Sequence, residues 1–183
     1  MSGRWRAAIQ SELVSEYPAS VESIPLRRQP VDVGVLLELT TEVMQRQARS
    51  LGITLTLRID DDVPSTVRLD RDKVAWAITS LVGSALRHVH GADRRVDVHV
   101  AWDSARSTLS VSVRDNGPGM SSDHLSRLFR RDAWHPGAAL ALLLVEDIAS
   151  AHGGGITVKS STDPGRHFTD VCFTIPADRS IRD

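Results

Sequence analysis

Five short stretches of this sequence alternate apolar and polar residues with a period of two, while three long ones repeat with the period of a helix. The alternating runs are Ile53 to Ile59, Val96 to Trp102, Leu109 to Val113, Ile156 to Ser160 and Val171 to Ile175, with a short further strand at Val67 to Leu69. The helical runs begin at Asp32 and Asp70, each a natural cap, and at Gly137. The first carries Val35, Leu36, Leu39, Val43 and Ala48 and stops at Gly52; the second has a stripe of Val74, Ile78, Leu81, Ala85 and Val89; the third runs to Ala151 and ends at Gly153 to Gly155. A shorter helix is predicted at Asp123 to Arg130. These helices do not follow a βαβ rhythm. The order predicts an α+β fold of two layers, a mixed five-stranded sheet covered on one face by three helices.

The strands at Val96 to Trp102 and Leu109 to Val113 are joined by a hairpin turn, Asp103 to Ser107, and each keeps one polar face, as a sheet covered on one side requires. Asp163-Pro164-Gly165 is the turn between the last two strands. The chain thus divides into an N-terminal helix and linker at 1–30, a domain at 31–176 and a tail at 177–183. In the first part Trp5, Ile9, Leu13 and Tyr17 recur every four residues, which predicts an amphipathic helix over Trp5 to Tyr17 that packs on the domain or pairs with a partner, including a second copy of the chain.

With 22 Lys and Arg against 23 Asp and Glu, no overall field draws the chain to nucleic acid or to an acidic membrane surface. No apolar run is long enough for a membrane span, and the charged first 20 residues do not suit a signal peptide, so the chain reads as cytoplasmic. A single cysteine, Cys172, excludes a disulfide framework and reads as a buried core thiol. His88 and His90 have no cysteine or carboxylate cluster beside them and make a poor metal pair.

The most specific local feature is Asp115-Asn116-Gly117-Pro118-Gly119-Met120, directly after a strand and before a helix. A carboxylate at a strand end, followed by glycines that admit a flat ligand, suits recognition of an amine on a planar base, although the same residues also make an ordinary turn. With the helix Asp70 to His88 before it and Gly137 to Gly154 after it, the latter ending Ile148-Ala149-Ser150-Ala151-His152-Gly153-Gly154, the sequence resembles the ATP-binding domain of histidine kinases. That superfamily also holds gyrase, Hsp90 and MutL-type ATPases and has the Bergerat fold.

The resemblance implies ATP and magnesium as ligands. It assigns the adenine amine to Asp115, room for the base to Gly117 and Gly119, the magnesium position to Ser84, and groups near the nucleotide to Arg87 and His88. Its phosphate run falls on Gly137, Ala138, Ala139, Leu140, Ala141 and Leu142. The departures lie in the same places. Ser84 and Ser80 stand where the family has asparagines, and Ala139 and Ala141 replace glycines. A serine hydroxyl is a shorter and weaker magnesium ligand than an amide carbonyl. The alanine methyls either strain a positive φ or simply extend the helix. Asp132 to Pro136 is too short for a lid; Trp134 and His135 could stack there, and Arg130 and Arg131 could reach phosphate.

The segment before the domain contains no histidine to accept phosphate, so self-phosphorylation by the family's usual route is not expected. The expected function is a degenerate sensor-kinase ATP-binding domain with weak or absent turnover, whose partner is a response regulator or a partner histidine kinase. The alternatives are a competent kinase domain acting on a histidine elsewhere and an anti-sigma-type serine kinase.

Overall fold

The computed structural model describes residues 24–128 and 138–176, together with the backbone of residues 11–14. Its main sheet has the order β1(Ser11–Val14), β7(Ile156–Ser161), β8(Phe168–Pro176), β6(Thr108–Asp115), β5(Arg95–Asp103), β3(Thr54–Ile59). The five strands from β7 to β3 are the mixed sheet expected, and β1 adds an edge. Every pair is antiparallel except β3 and β5, whose parallel pairing needs a crossover. The helix α2(Arg71–His88) supplies it. A separate ribbon pairs β2(Gln29–Asp32) with β4(Thr66–Leu69), so part of the expected linker is strand.

Three long helices, α1(Val33–Ser50), α2 and α4(Ala138–Ala151), cover one face, with α2 packed against both α1 and α4. The core between the layers takes Ile78 and Val82 from α2, Val145 and Ala149 from α4, and Val98, Val111, Val158 and Phe173 from the strands, all essentially inaccessible to solvent. The whole expected α2 stripe, from Val74 to Val89, is buried. The opposite sheet face is polar, and one row of its register reads Thr56, Asp97, Arg114, Asp170, Lys159 across five strands. Alternating charges in neighbouring strands of this kind favour the register.

Both capping aspartates behave as their sequence context predicts: Asp32 Oδ1 accepts from Val35 N at 2.9 Å, and Asp70 Oδ1 accepts from Lys73 N at 3.2 Å. Gly52 and Gly153 take positive φ at the ends of their helices. In the hairpin, Asp103 Oδ1 accepts from Ala105 N and Arg106 N.

Four expectations are corrected. Residues 11–14 are a strand on the edge of β7 rather than the middle of a helix, because the open β7 edge offers backbone partners that a short isolated helix lacks. The rest of that predicted helix lies outside the described residues. The helix expected at Asp123 to Arg130 is one turn, α3(Ser122–Leu125), capped by Ser121; residues 129–137 are not described. Cys172 lies on the polar sheet face beside Asp170 and is half-buried; that burial, with the Asp170 carboxylate adding to it, pushes its thiol up to about 11, so it stays protonated. In α1 the inner face is Leu36, Leu37, Thr40, Thr41 and Ala48, whereas Val35, Leu39 and Val43 face outward. The two threonines tolerate burial because their hydroxyls donate to the carbonyls of Leu36 and Leu37, one turn back. No described helix is long and apolar enough to cross a membrane.

Candidate nucleotide-binding site

Asp115 closes β6 on the core side of the sheet and is only 6% exposed. Its Oδ1 accepts from the Gly117 amide at 2.8 Å. Burial raises its pKa above the ordinary carboxylate value, against the opposing pull of that amide and of His88. A buried carboxylate perturbed in this way is a candidate for ligand recognition.

The turn after it is held from three sides. Asn116 Oδ1 accepts from Arg95 N at 2.8 Å, and its amide donates to the Asp93 carbonyl, which ties the turn to the start of β5. His167 Nδ1 lies 2.7 Å from the Gly117 carbonyl and 3.0 Å from that of Asn116, so this nitrogen carries the proton and donates to both. Met120 N donates to Ser160 Oγ at 2.8 Å, and that hydroxyl donates to the Phe168 carbonyl at 2.7 Å.

The two glycines have distinct roles. Gly119 has φ +74°, and a Cβ there would lie 1.9 Å from the Ser161 carbonyl oxygen, so only glycine lets the turn lie against β7. At Gly117 a Cβ would lie 2.6 Å from Asp115 Oδ1 and 2.9 Å from the His88 carbonyl oxygen. This second contact places the C-terminal end of α2 against the glycine turn. Two of the three expected blocks therefore meet.

On that end of α2, Ser84 is half-buried, and Arg87 and His88 are exposed. His88 Nδ1 lies 2.8 Å from the Ser84 carbonyl oxygen and 3.4 Å from its hydroxyl. Facing a carbonyl, Nδ1 carries a proton and donates to the helix. The Ser84 hydroxyl is turned toward this ring, and no group of three His, Cys, Asp or Glu that could hold a metal occurs among the described residues. Toward the adenine of ATP the site offers one fitting group, the buried carboxylate of Asp115 at the end of β6. The magnesium half does not fit in the same way, since its one candidate ligand is a short hydroxyl with a competing neighbour.

The third block is partly placed. Gly137, together with Arg130, Arg131, Trp134 and His135, lies outside the described residues. Helix α4 runs from Ala138, so Ala139 and Ala141 are helical residues; among the described non-glycine residues only Ser107 has positive φ. Neither alanine carries the positive φ that would strain it. Leu142 is buried in the core at 8% exposure, whereas Leu140 points outward at 57%, so these two leucines do not act together.

Sequence reading missed His167 and Ser160, which act from β7 and the loop after it. Ser160 left a signal: it continues the inward-facing series Ile156, Val158, and a polar residue there, 1% exposed, must have a bonding task.

Residues 69–179 match the family described as "Histidine kinase-, DNA gyrase B-, and HSP90-like ATPase". The chain belongs to this family. It is 27% identical over 163 residues to the sensor histidine kinase ZraS of Escherichia coli K12, covering 87% of this chain and 34% of that protein. It is 30% identical over 154 residues to the methanogenesis regulatory histidine kinase FilI of Methanothrix harundinacea, covering 80% and 17%. The chain therefore spans about a third or less of the length of these relatives. Among solved structures, full-length ShkA in complex with AMPPNP has a TM-score of 0.76 at 23% identity, covering 88% of this chain and 33% of that one. The nucleotide-free catalytic domain of histidine kinase ThkA has a TM-score of 0.68 at 18% identity, covering 82% and 96%. The fold is that of a histidine kinase catalytic domain.

Proposed function

We propose that this chain is the ATP-binding-type domain of a two-component sensor kinase in which adenine recognition is retained while magnesium and phosphate handling have decayed, leaving weak or absent turnover. The observation that carries this reading is a contrast between the parts of the expected site. Asp115, Gly117 and Gly119 keep a buried, tightly bonded geometry for the base, whereas Ser84, Ala139 and Ala141 stand where ligands and bare amides belong. The AMPPNP complex of ShkA supports a nucleotide as the ligand class. The sensor-kinase relatives support a response regulator or a partner histidine kinase as the protein partner.

In this reading Asp115 accepts the amine of the base, Gly117 and Gly119 let the turn close against the end of α2 and against β7 instead of leaving room for the ring as expected, and His88 and Arg87 are the exposed groups nearby. A bound magnesium would supply charge neutralisation for the phosphates, and Ser84 is the residue here that would face it. A competent kinase domain acting on a histidine elsewhere shares the same base site but requires the phosphate site to function.

The test is reversion. Ser84→Asn with Ala139→Gly and Ala141→Gly is expected to tighten binding of an ATP analogue by about tenfold or more in magnesium, with little change in its absence. The two glycines should also lower helix stability by about 1 kcal/mol each, which a thermal melt detects. A reverted protein that folds and gains no affinity would place the loss elsewhere than in these three side chains.

A further inference from the structure

The glycine turn rests on the last two residues of β7. Met120 N donates to Ser160 Oγ, and a Cβ at Gly119 would lie 1.9 Å from the Ser161 carbonyl oxygen. Whatever fixes the end of β7 therefore fixes the turn. On one side that end is paired with β8, where Ser160 stands opposite Thr169 and Ser161 opposite Phe168. On its other side the partner is β1, and the register sets Ser11 opposite Ser160. The same strand packs against α3, the helical turn that begins directly after Met120 and its cap Ser121. One short strand thus touches both structures that flank Met120, the residue that carries its acceptor and the helix that follows it.

We propose that β1 is a strap that holds the glycine turn in place, so that its release from β7 loosens the turn and weakens nucleotide binding. The strand pairs over four residues and forms the edge of the sheet, and elements of this kind open at a lower cost than central strands. Once it is released, β7 becomes the edge and its last residues are held by β8 alone. Element ends fray, and this one carries the acceptor for Met120 N. Residues 11–14 precede the rest of the domain in sequence, so a movement of the N-terminal segment is delivered at the turn. The effect on nucleotide rests on Asp115 being the base-recognition group, whereas the mechanical link from β1 to Met120 does not.

Hydrogen exchange of the full chain, resolved by residue and without nucleotide, tests that link. In an antiparallel edge strand one of every two neighbouring amides points to the partner, so Glu12→Pro with Leu13→Pro removes a ladder bond in either phase. The Met120 amide should then exchange about tenfold faster or more. The amides of Val35 and Ala105, bonded to Asp32 and Asp103 in parts of the fold that β1 does not pair with, should keep their rates. Glu12→Thr with Leu13→Val keeps both amides in strand-favouring residues and should leave Met120 unchanged. Ser160→Ala should accelerate Met120 by itself, and the prolines should then add little, because both act through the one hydroxyl. In titrations with a non-hydrolysable ATP analogue, the proline variant should bind about fivefold more weakly or worse than the unaltered chain. An unaltered chain that binds no analogue contradicts the role of Asp115, and the strap then stands or falls on the exchange of Met120. A Met120 rate that does not change in the proline variant, or that rises only as far as those of Val35 and Ala105, overturns the inference. Accelerated exchange with an unchanged analogue affinity overturns it too, since the turn would then loosen without consequence.

Discussion

Gly119→Ala is expected to cost about 3 kcal/mol or more, and to remove nucleotide recognition along with the stability. The new methyl carbon would lie 1.9 Å from the Ser161 carbonyl oxygen and 2.6 Å from its carbon, and those atoms belong to a backbone that β8 holds in register. The residue also has φ +74°, where an L side chain is strained whatever the space. Forced overpacking and positive-φ strain each contribute on the order of 1–3 kcal/mol. The turn cannot shift to relieve the clash without releasing Met120 N from Ser160 and the Asn116 and Gly117 carbonyls from His167. Gly153→Ala is the control. That residue has φ +86° but nothing within 4 Å of the new atom, so it should cost only about 1 kcal/mol. Urea melts of the two variants separate clash from strain; equal losses would mean that the turn is not held as described.

Asp70→Ala should be nearly as damaging, at about 3 kcal/mol, for a different reason. This carboxylate is 4% exposed and joins three parts of the chain. It caps α2 through Lys73 N, accepts from Arg27 N at 2.8 Å and pairs with Lys73 Nζ at 3.0 Å. Its own amide donates to Nε2 of buried His152 at 3.1 Å, while His152 Nδ1 donates to the Ile148 carbonyl at 2.7 Å. Alanine removes the cap and strands the Arg27 amide and the lysine together, losses worth about 1 kcal/mol and 1–3 kcal/mol respectively. Asp70→Asn keeps an oxygen for the cap and should lose roughly half as much.

The same cluster sets an acid limit. Burial holds the His152 pKa below the ordinary histidine value of 6.5, only partly offset by its bond to Ile148. The unfolded chain therefore takes up a proton first as pH falls, so the stability this histidine contributes is complete above 6.5 and declines below it. For Asp70, burial raises the pKa but the Arg27 and Lys73 bonds outweigh it and hold the carboxyl below 3.8, so its contribution survives to lower pH and is lost as pH falls through the folded value. Melts in Asp70→Asn should keep the decline below 6.5, which belongs to His152, and lose the lower step.

The strands were legible because each buries one face, and alternation records that directly. Asp32, Asp70, Gly52 and the Asp103 hairpin were legible because caps and turns are decided within four residues. What the sequence concealed was tertiary. The spacing of Trp5, Ile9, Leu13 and Tyr17 suits a helix, yet residues 11–14 pair with β7, whose partners lie about 145 residues onward. In α1 the apolar residues occupy two faces, so periodicity alone could not say that Leu36 and Ala48 are buried while Leu39 and Val43 are not. In the site, Asp115 and the glycines were readable from a local motif. His167 and Ser160 were not, since a clamp delivered from 40–50 residues away leaves no spacing rule behind.

Under the proposed function, the site at Asp115 keeps its hold on the base and has lost its hold on magnesium and phosphate. Calorimetric titration of the chain with an ATP analogue, with and without magnesium and beside Asp115→Asn, tests it most directly. Asparagine preserves an oxygen for the Gly117 amide and removes the charge, so it probes the base contact without dismantling the turn. Weak binding that magnesium does not improve, and that Asp115→Asn removes, is the expected result. Micromolar binding that depends on magnesium in the unaltered chain would contradict the account and mark the phosphate site as intact.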